Sequence, residues 1–166
     1  DQRRAVAARY QLDGPFILSV GTLEPRKNYP RLISAFAQLR RQSGAPHTLV
    51  IGGGKGWLTE SIFAQVEREG VAPFVRFLGY VNEDDLPTLY SLADLVAFPS
   101  RYEGFGIPVI EAMACGAPVV CADNSSLPEA AGDAALLINA DDTAGLAAAL
   151  ERGLTDRAWR ETAQHK

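Results

Sequence analysis

Cysteine is scarce in this 166-residue chain: there are two, Cys115 and Cys121. They lie six residues apart in AMACGAPVVCAD, among small and apolar neighbours. That is neither a metal-ligand spacing nor a disulfide framework, and it predicts two buried free thiols in a reducing compartment. Histidine is equally rare. His47 precedes an apolar run and His165 lies in the tail, so neither falls where catalysis is expected. No stretch approaches the roughly 18 apolar residues of a membrane span. The opening DQRRAVAARYQ is charged and has no signal-peptide core. It has no initiator methionine either, so the chain is expected to be a piece of a longer one. A basic excess is also missing. Sixteen Lys and Arg stand against twenty Asp and Glu, a net charge of −4, which argues against nucleic acid as a partner.

What is present is an ordinary globular composition, 47% apolar and 22% charged, in a length that suits one core better than two. Residues 1–166 are expected to form a single domain. Short apolar runs at 16–21, 48–53, 75–80, 95–100, 118–123 and 135–139 read as strands. Helical spacing marks 28–43, 58–70, 82–93, 107–116, 141–154 and the tail 155–166. The strand runs are mainly apolar rather than alternating, as in a parallel sheet covered on both faces. The predicted fold is α/β: a doubly wound, Rossmann-like parallel sheet of about six strands with helices on both faces. Ligands bind such sheets outside the carboxyl ends of the strands. The loops at 21–28, 52–57, 80–82, 100–107 and 123–128 are therefore where function belongs.

The first of these loops, GTLEPRKN, puts Arg26 and Lys27 just before a helix, an arrangement suited to an anion. The same pair also suits a solvated basic turn. The second, GGGKGW, resembles a nucleotide motif only superficially. Trp57 stands where a dinucleotide fingerprint needs glycine, and Gly56 follows Lys55 where a phosphate loop needs serine or threonine. The third stretch is SRYEGFGIPVIEAMACG. Gly104 and Gly106 free the backbone around Phe105, so the amides of 104–106 can face a ligand ahead of a helix N-terminus. Glu103 sits at the turn. Glu111 falls among apolar residues, where a carboxylate needs a partner: a nearby amide or arginine, or two vicinal hydroxyls such as those of a ribose. Asp84-Asp85 and Asp141-Asp142 stand at predicted helix starts and read as caps. Trp57 and Tyr102 lie near the cleft, although packing is the commoner use of an aromatic.

Glu103-GFGIPVI-Glu111 resembles the Glu-x7-Glu motif of glycosyltransferase family 4, the retaining GT-B enzymes. VGTLEPRKN, LVIGGGKGW, FLGYVNEDDLPTLYSLADLVAFPSRYEGFG and SLPEAAGDAALLINADD follow the family in the same order, and the likeness runs from about residue 14 to 150. It is a likeness to the C-terminal, nucleotide-sugar-binding half, with the N-terminal acceptor half absent. The resemblance implies that Arg26 and Lys27 contact the donor diphosphate and that Glu111 holds the nucleotide ribose. It puts Glu103 beside the donor sugar as the candidate catalytic residue. It sets the backbone of Gly104, Phe105 and Gly106 against sugar and phosphate, and the backbone of Val81 against the base. Thr22 departs from the arginine that many relatives carry there. The TLEPRKN form is similar to mannosyltransferases of polysaccharide and O-antigen assembly, which implies a GDP-sugar donor, an acceptor glycan or lipid-linked glycan bound by the missing half, and no metal or other cofactor. It further implies a cytoplasmic protein, peripheral at the inner face of the membrane, whose isolated domain transfers sugar poorly. The alternative is a non-catalytic nucleotide-sugar-binding module of the same fold.

Overall fold

The computed structural model describes residues 1–166. Six strands, β1 (Phe16–Val20), β2 (Thr48–Gly52), β3 (Val75–Gly79), β4 (Leu95–Phe98), β5 (Val119–Ala122) and β6 (Leu136–Ile138), form one sheet in the order β3–β2–β1–β4–β5–β6. Every neighbouring pair is parallel. The apolar runs explain this directly. β1, β2, β4 and β5 are buried almost end to end, including Ser19. A strand buried on both faces needs helices on both.

Those helices are α1 (Gln2–Arg9), α2 (Tyr29–Ser43), α3 (Glu60–Glu69), α4 (Leu86–Leu92), α5 (Ile107–Ala114), α6 (Leu127–Ala131), α7 (Thr143–Thr155) and α8 (Arg157–Gln164). One layer packs α3, α2 and α7 side by side; the other packs α1, α4, α5 and α6. The crossovers run outward from β1 in both directions along the sheet, and with the usual right-handed connection this puts the two layers on opposite faces. α2 buries Leu32, Ile33, Phe36 and Leu39 at helical spacing and ends at Gly44 in the left-handed region. α3 buries Ile62 and Val66 and ends in the same way at Gly70. None of the helices is long and apolar enough to cross a membrane.

The doubly wound fold read from the sequence is the fold observed. Two helices carried too weak a pattern to be read. α1 buries only Val6, and α6 is five residues long. The segment 82–93 divides into a 3-10 turn, Glu83–Asp85, and α4. Asn82 caps that turn through the Asp84 amide at 3.0 Å, and Asp142 caps α7 through the Gly145 amide at 2.9 Å. Asp85 is not a cap. Its carboxylate accepts two hydrogen bonds from Arg9, at 2.7 and 2.6 Å, and one from the Tyr10 hydroxyl at 2.8 Å. α1 is thereby pinned to the loop that follows β3.

The glycines of GGGKGW answer a crossing of chains. Gly53 has φ +152°, and a Cβ there would collide with the Gly21 carbonyl oxygen. A Cβ on Gly56 would press on the Leu23 carbonyl. The Leu23 amide donates to Gly54 at 2.9 Å and the Gly56 amide to Leu23 at 3.1 Å. The loops after β1 and β2 are thus laced together above the sheet.

Candidate functional site in the cleft between β1 and β4

The strand order reverses at β1. The chain runs outward through β2 and β3, then returns to place β4 on the other side of β1. Helices leave the two strands on opposite sides, so a crevice opens outside their carboxyl ends. The loops that meet there are 21–28 and 99–106.

Arg26 and Lys27 lie in a 3-10 turn, Pro25–Lys27. Asn28 follows in the left-handed region, at φ +63°. Its side-chain amide donates to the Pro99 carbonyl at 3.0 Å and to the Ala140 carbonyl at 2.9 Å, tying together the ends of three strands. The Arg101 amide donates to the Arg26 carbonyl at 2.8 Å. So fixed, the turn brings Lys27 Nζ to 2.7 Å from Glu103 Oε1, while the Ser100 hydroxyl donates to the same oxygen at 2.8 Å. Arg26 Nη1 lies 3.4 Å from Glu103 Oε2 and 3.2 Å from the Tyr102 carbonyl, and Arg26 also pairs with Glu24.

Glu103 is buried, at 9% exposure, and so is Lys27 at 8%. Burial by itself raises the Glu103 pKa. The hydrogen bonds from Lys27 and Ser100, with the charges of Lys27 and Arg26, reverse this and hold the carboxyl below the ordinary carboxylate range. It is therefore ionised. The two cations differ: Lys27 is largely shut off from water and already has a carboxylate, whereas Arg26 is exposed. One of the three N–H donors of Lys27 is used there, and two are free for a second anion.

The backbone around Glu103 is held from below by the loop after β5. The Ser125 hydroxyl accepts from the Glu103 amide at 2.9 Å, and the Ser126 hydroxyl donates to the Glu103 carbonyl at 2.9 Å. Ser125 has φ +49°, a costly conformation for serine. The amides of Gly104, Phe105 and Gly106 make no hydrogen bond within the chain. Gly106 has φ +69°, and a Cβ there would press on Ala130 of α6 at 2.8 Å, so this glycine is required both by the turn and by the close approach of α6. Phe105 is 81% exposed.

Glu111 does not join this cluster. Its apolar neighbours in sequence do not bury it: Val109 and Ala112 face the core, which turns Glu111 outward, exposed and with neither an arginine nor an amide as partner. It lies instead on the wall of a cavity of about 410 Å³ between α4 and α5, with Glu83, Leu86, Pro87, Tyr90, Ala114 and Cys115. Cys115 is accordingly only partly buried, whereas Cys121 is fully buried. Burial pushes the Cys121 thiol up to about 12. Val81 is buried, its side chain packed over Gly52, and its amide and carbonyl make no backbone hydrogen bond. Trp57 and Tyr102 are each 61% exposed, so neither serves as core packing. With Tyr80 and Phe105 they line the same end of the sheet as the cleft. Asn28, Ser100, Ser125 and Ser126 carry no signal in the sequence beyond a place in or beside a strand-end loop.

Residues 4–166 match the family described as Glycosyl transferases group 1. The chain belongs to that family. It is 42% identical over 159 residues to the O-antigen chain mannosyltransferase B of Escherichia coli, a match that covers 95% of this chain and 42% of that protein. It is 36% identical over 160 residues to the serotype-specific mannosyltransferase WbdA of Escherichia coli, covering 95% of this chain and 20% of that one. The sucrose-phosphate synthase of Thermosynechococcus elongatus superposes with a TM-score of 0.80 at 32% identity, over 97% of this chain and 42% of that one. Anabaena HepE, solved in complex with UDP and glucose, superposes with a TM-score of 0.86 at 26% identity, over 98% of this chain and 45% of that one. The chain thus spans less than half the length of these proteins, and its Rossmann-like sheet is that of a GT-B domain.

Proposed function

We propose that this chain is the donor-binding, C-terminal half of a retaining glycosyltransferase of family 4, and that its donor is a GDP-sugar. The observation that carries the reading is the convergence of Lys27, Arg26 and an ionised Glu103 at the switch point of the sheet, beside free amides at 104–106. A nucleotide sugar needs three things of such a cleft: cations for the diphosphate, an oriented acceptor for sugar hydroxyls, and a grip on the nucleoside. Lys27 and Arg26 supply the first, Glu103 the second, and Glu111 on the apolar wall between α4 and α5 the third. The unbonded backbone of Val81 lies one loop away and faces the base. The solved complex of HepE with UDP and glucose, and the naming of relatives as mannosyltransferases, support this assignment.

In the proposed reaction the anomeric C–O bond to the diphosphate breaks, a new bond forms from the anomeric carbon to an acceptor hydroxyl, and the proton of that hydroxyl passes to the departing diphosphate. The nucleoside diphosphate leaves with growing negative charge. Lys27, Arg26 and the amides before α5 are preorganised for that charge. Glu103 stands beside the sugar. No metal or other cofactor is invoked. The acceptor, a glycan or lipid-linked glycan, is bound by the remainder of the protein, whose closure excludes water. The setting proposed is the cytoplasm, at the inner face of the membrane.

Calorimetry of the chain with GDP, UDP and ADP tests this. The expected result is binding that is tightest for GDP and weakened at least about tenfold, about 1.4 kcal/mol, by Glu111→Ala. Absence of binding to all three at millimolar concentration sinks the assignment.

A further inference from the structure

A second cavity, of about 560 Å³, lies on the opposite layer between the first turns of α2 and α3. Its polar lining includes Arg26, Arg31, Arg101, Ser34, Ser61 and Gln65, and no acidic residue lines it. In a chain of net charge −4, a cavity lined by three arginines and no carboxylate stands apart from the rest of the surface. Arg31 is anchored: it donates to the Asp141 carbonyl at 2.7 Å and to the Thr143 hydroxyl at 3.0 Å. Arg101 approaches from the loop after β4. Both guanidinium groups reach the same oxygen, Asp141 Oδ1, at 3.8 and 3.7 Å. These are loose contacts to a side chain that is 72% exposed. The two arginines thus converge on one carboxylate oxygen and share it as a weak counter-ion. Arg26, by contrast, is engaged with Glu24 and Glu103 and stands in the wall between this cavity and the cleft.

We infer that this cavity is a phosphate-binding site distinct from the cleft, with Arg31 and Arg101 as its forks. Two planar guanidinium groups that converge on one oxygen suit a phosphate dianion, which has acceptor oxygens enough to take the remaining N–H donors of both. A phosphate outcompetes the Asp141 carboxylate because it brings more charge and more acceptor oxygens. The phosphate is that of a soluble phosphorylated compound or of a lipid headgroup, since both present the same dianion. Bound here, with Arg26 as the shared wall, it would lie beside the cleft and not inside it.

Thermal midpoints measured against inorganic phosphate, with chloride at matched ionic strength as the control, test the site. Phosphate is expected to raise the midpoint saturably, and Arg101→Gln and Arg31→Gln to weaken its apparent affinity at least tenfold. Arg101 is largely exposed, so its variant keeps the test interpretable if Arg31→Gln unfolds. Asp141→Asn should tighten phosphate several-fold, a gain that a merely structural role for Asp141 would not give. GDP binding should persist in Arg101→Gln, which separates this site from the donor cleft. Sedimentation with phosphatidic acid vesicles, but not with phosphatidylcholine vesicles, and its loss in Arg101→Gln would assign the phosphate to a headgroup; a response to free phosphate alone would assign it to a soluble compound. A phosphate response equal to chloride, or one unchanged in Arg101→Gln, together with no selective sedimentation, overturns the site.

Discussion

Lys27 and Glu103 lie 76 residues apart in sequence and 2.7 Å apart in space. Each is the other's nearest opposite charge, and both are almost closed off from water. Removing one partner leaves the other desolvated, which costs more than the pair contributes when intact. Lys27→Ala should therefore destabilise the chain by about 1–3 kcal/mol, with Ser100 and Arg26 limiting the loss. Adding Glu103→Gln should recover part of it, because the neutral amide needs no counter-charge. Urea unfolding of the two single variants and the double variant gives the coupling directly; strict additivity would show that the ion pair is not the source.

At the scale of elements, the cleft depends on loops being fixed rather than on strands alone. The segments after β1 and β2 cross so closely that only glycine fits at position 53. Gly53→Ala must push Gly21 aside in a backbone conformation already unfavourable for a side chain, and should cost at least about 2 kcal/mol. A Cβ on the neighbouring Gly54 meets nothing within 4 Å, so Gly54→Ala should change stability by no more than about 0.5 kcal/mol. Denaturant midpoints of the pair distinguish chain crossing from ligand approach as the reason for the glycine run. α1 plays a comparable part on the other layer. Through Arg9 and Tyr10 on Asp85 it holds the loop after β3, the loop that carries Val81.

For the molecule as a whole, several carboxyls are held below their ordinary values by native partners. Hydrogen bonds from Arg9 and Tyr10 lower Asp85. For Glu69, burial acts upward but is outweighed by the hydrogen bonds of Arg41, Ser34 and Gln65. Glu103 behaves similarly, through Lys27 and Ser100. A depressed folded-state pKa means that the unfolded chain binds protons more readily. The stability these groups contribute is therefore complete above the unfolded-state values, near 4.5 for Glu and 3.8 for Asp, and is lost as pH falls through the lower folded values. Unfolding free energy should be flat in these groups above about pH 5 and fall progressively below about pH 4.5. In Glu103→Gln the acid slope should be shallower; an unchanged slope would show that Glu103 titrates alike in both states.

The sequence by itself determined the class of the fold. Apolar runs such as FILSV and LVAF that alternate with helical segments fit a parallel sheet with helices on both faces, and the strand-end loops that carry Arg26, Lys27, Glu103 and Gly106 followed from that. Local periodicity could not determine the partners. The reversal of strand order at β1 sets Glu103 against Lys27, and strand order is a matter of how crossovers pack. Exposure at Glu111 came from the rotation of α5 about its axis, which an apolar sequence such as VIEAMA conceals. The arginine-lined cavity draws Arg31 and Arg101 from elements 70 residues apart. Tertiary structure decided these because ion pairs and cavities form between segments that only the closed core brings within reach of each other.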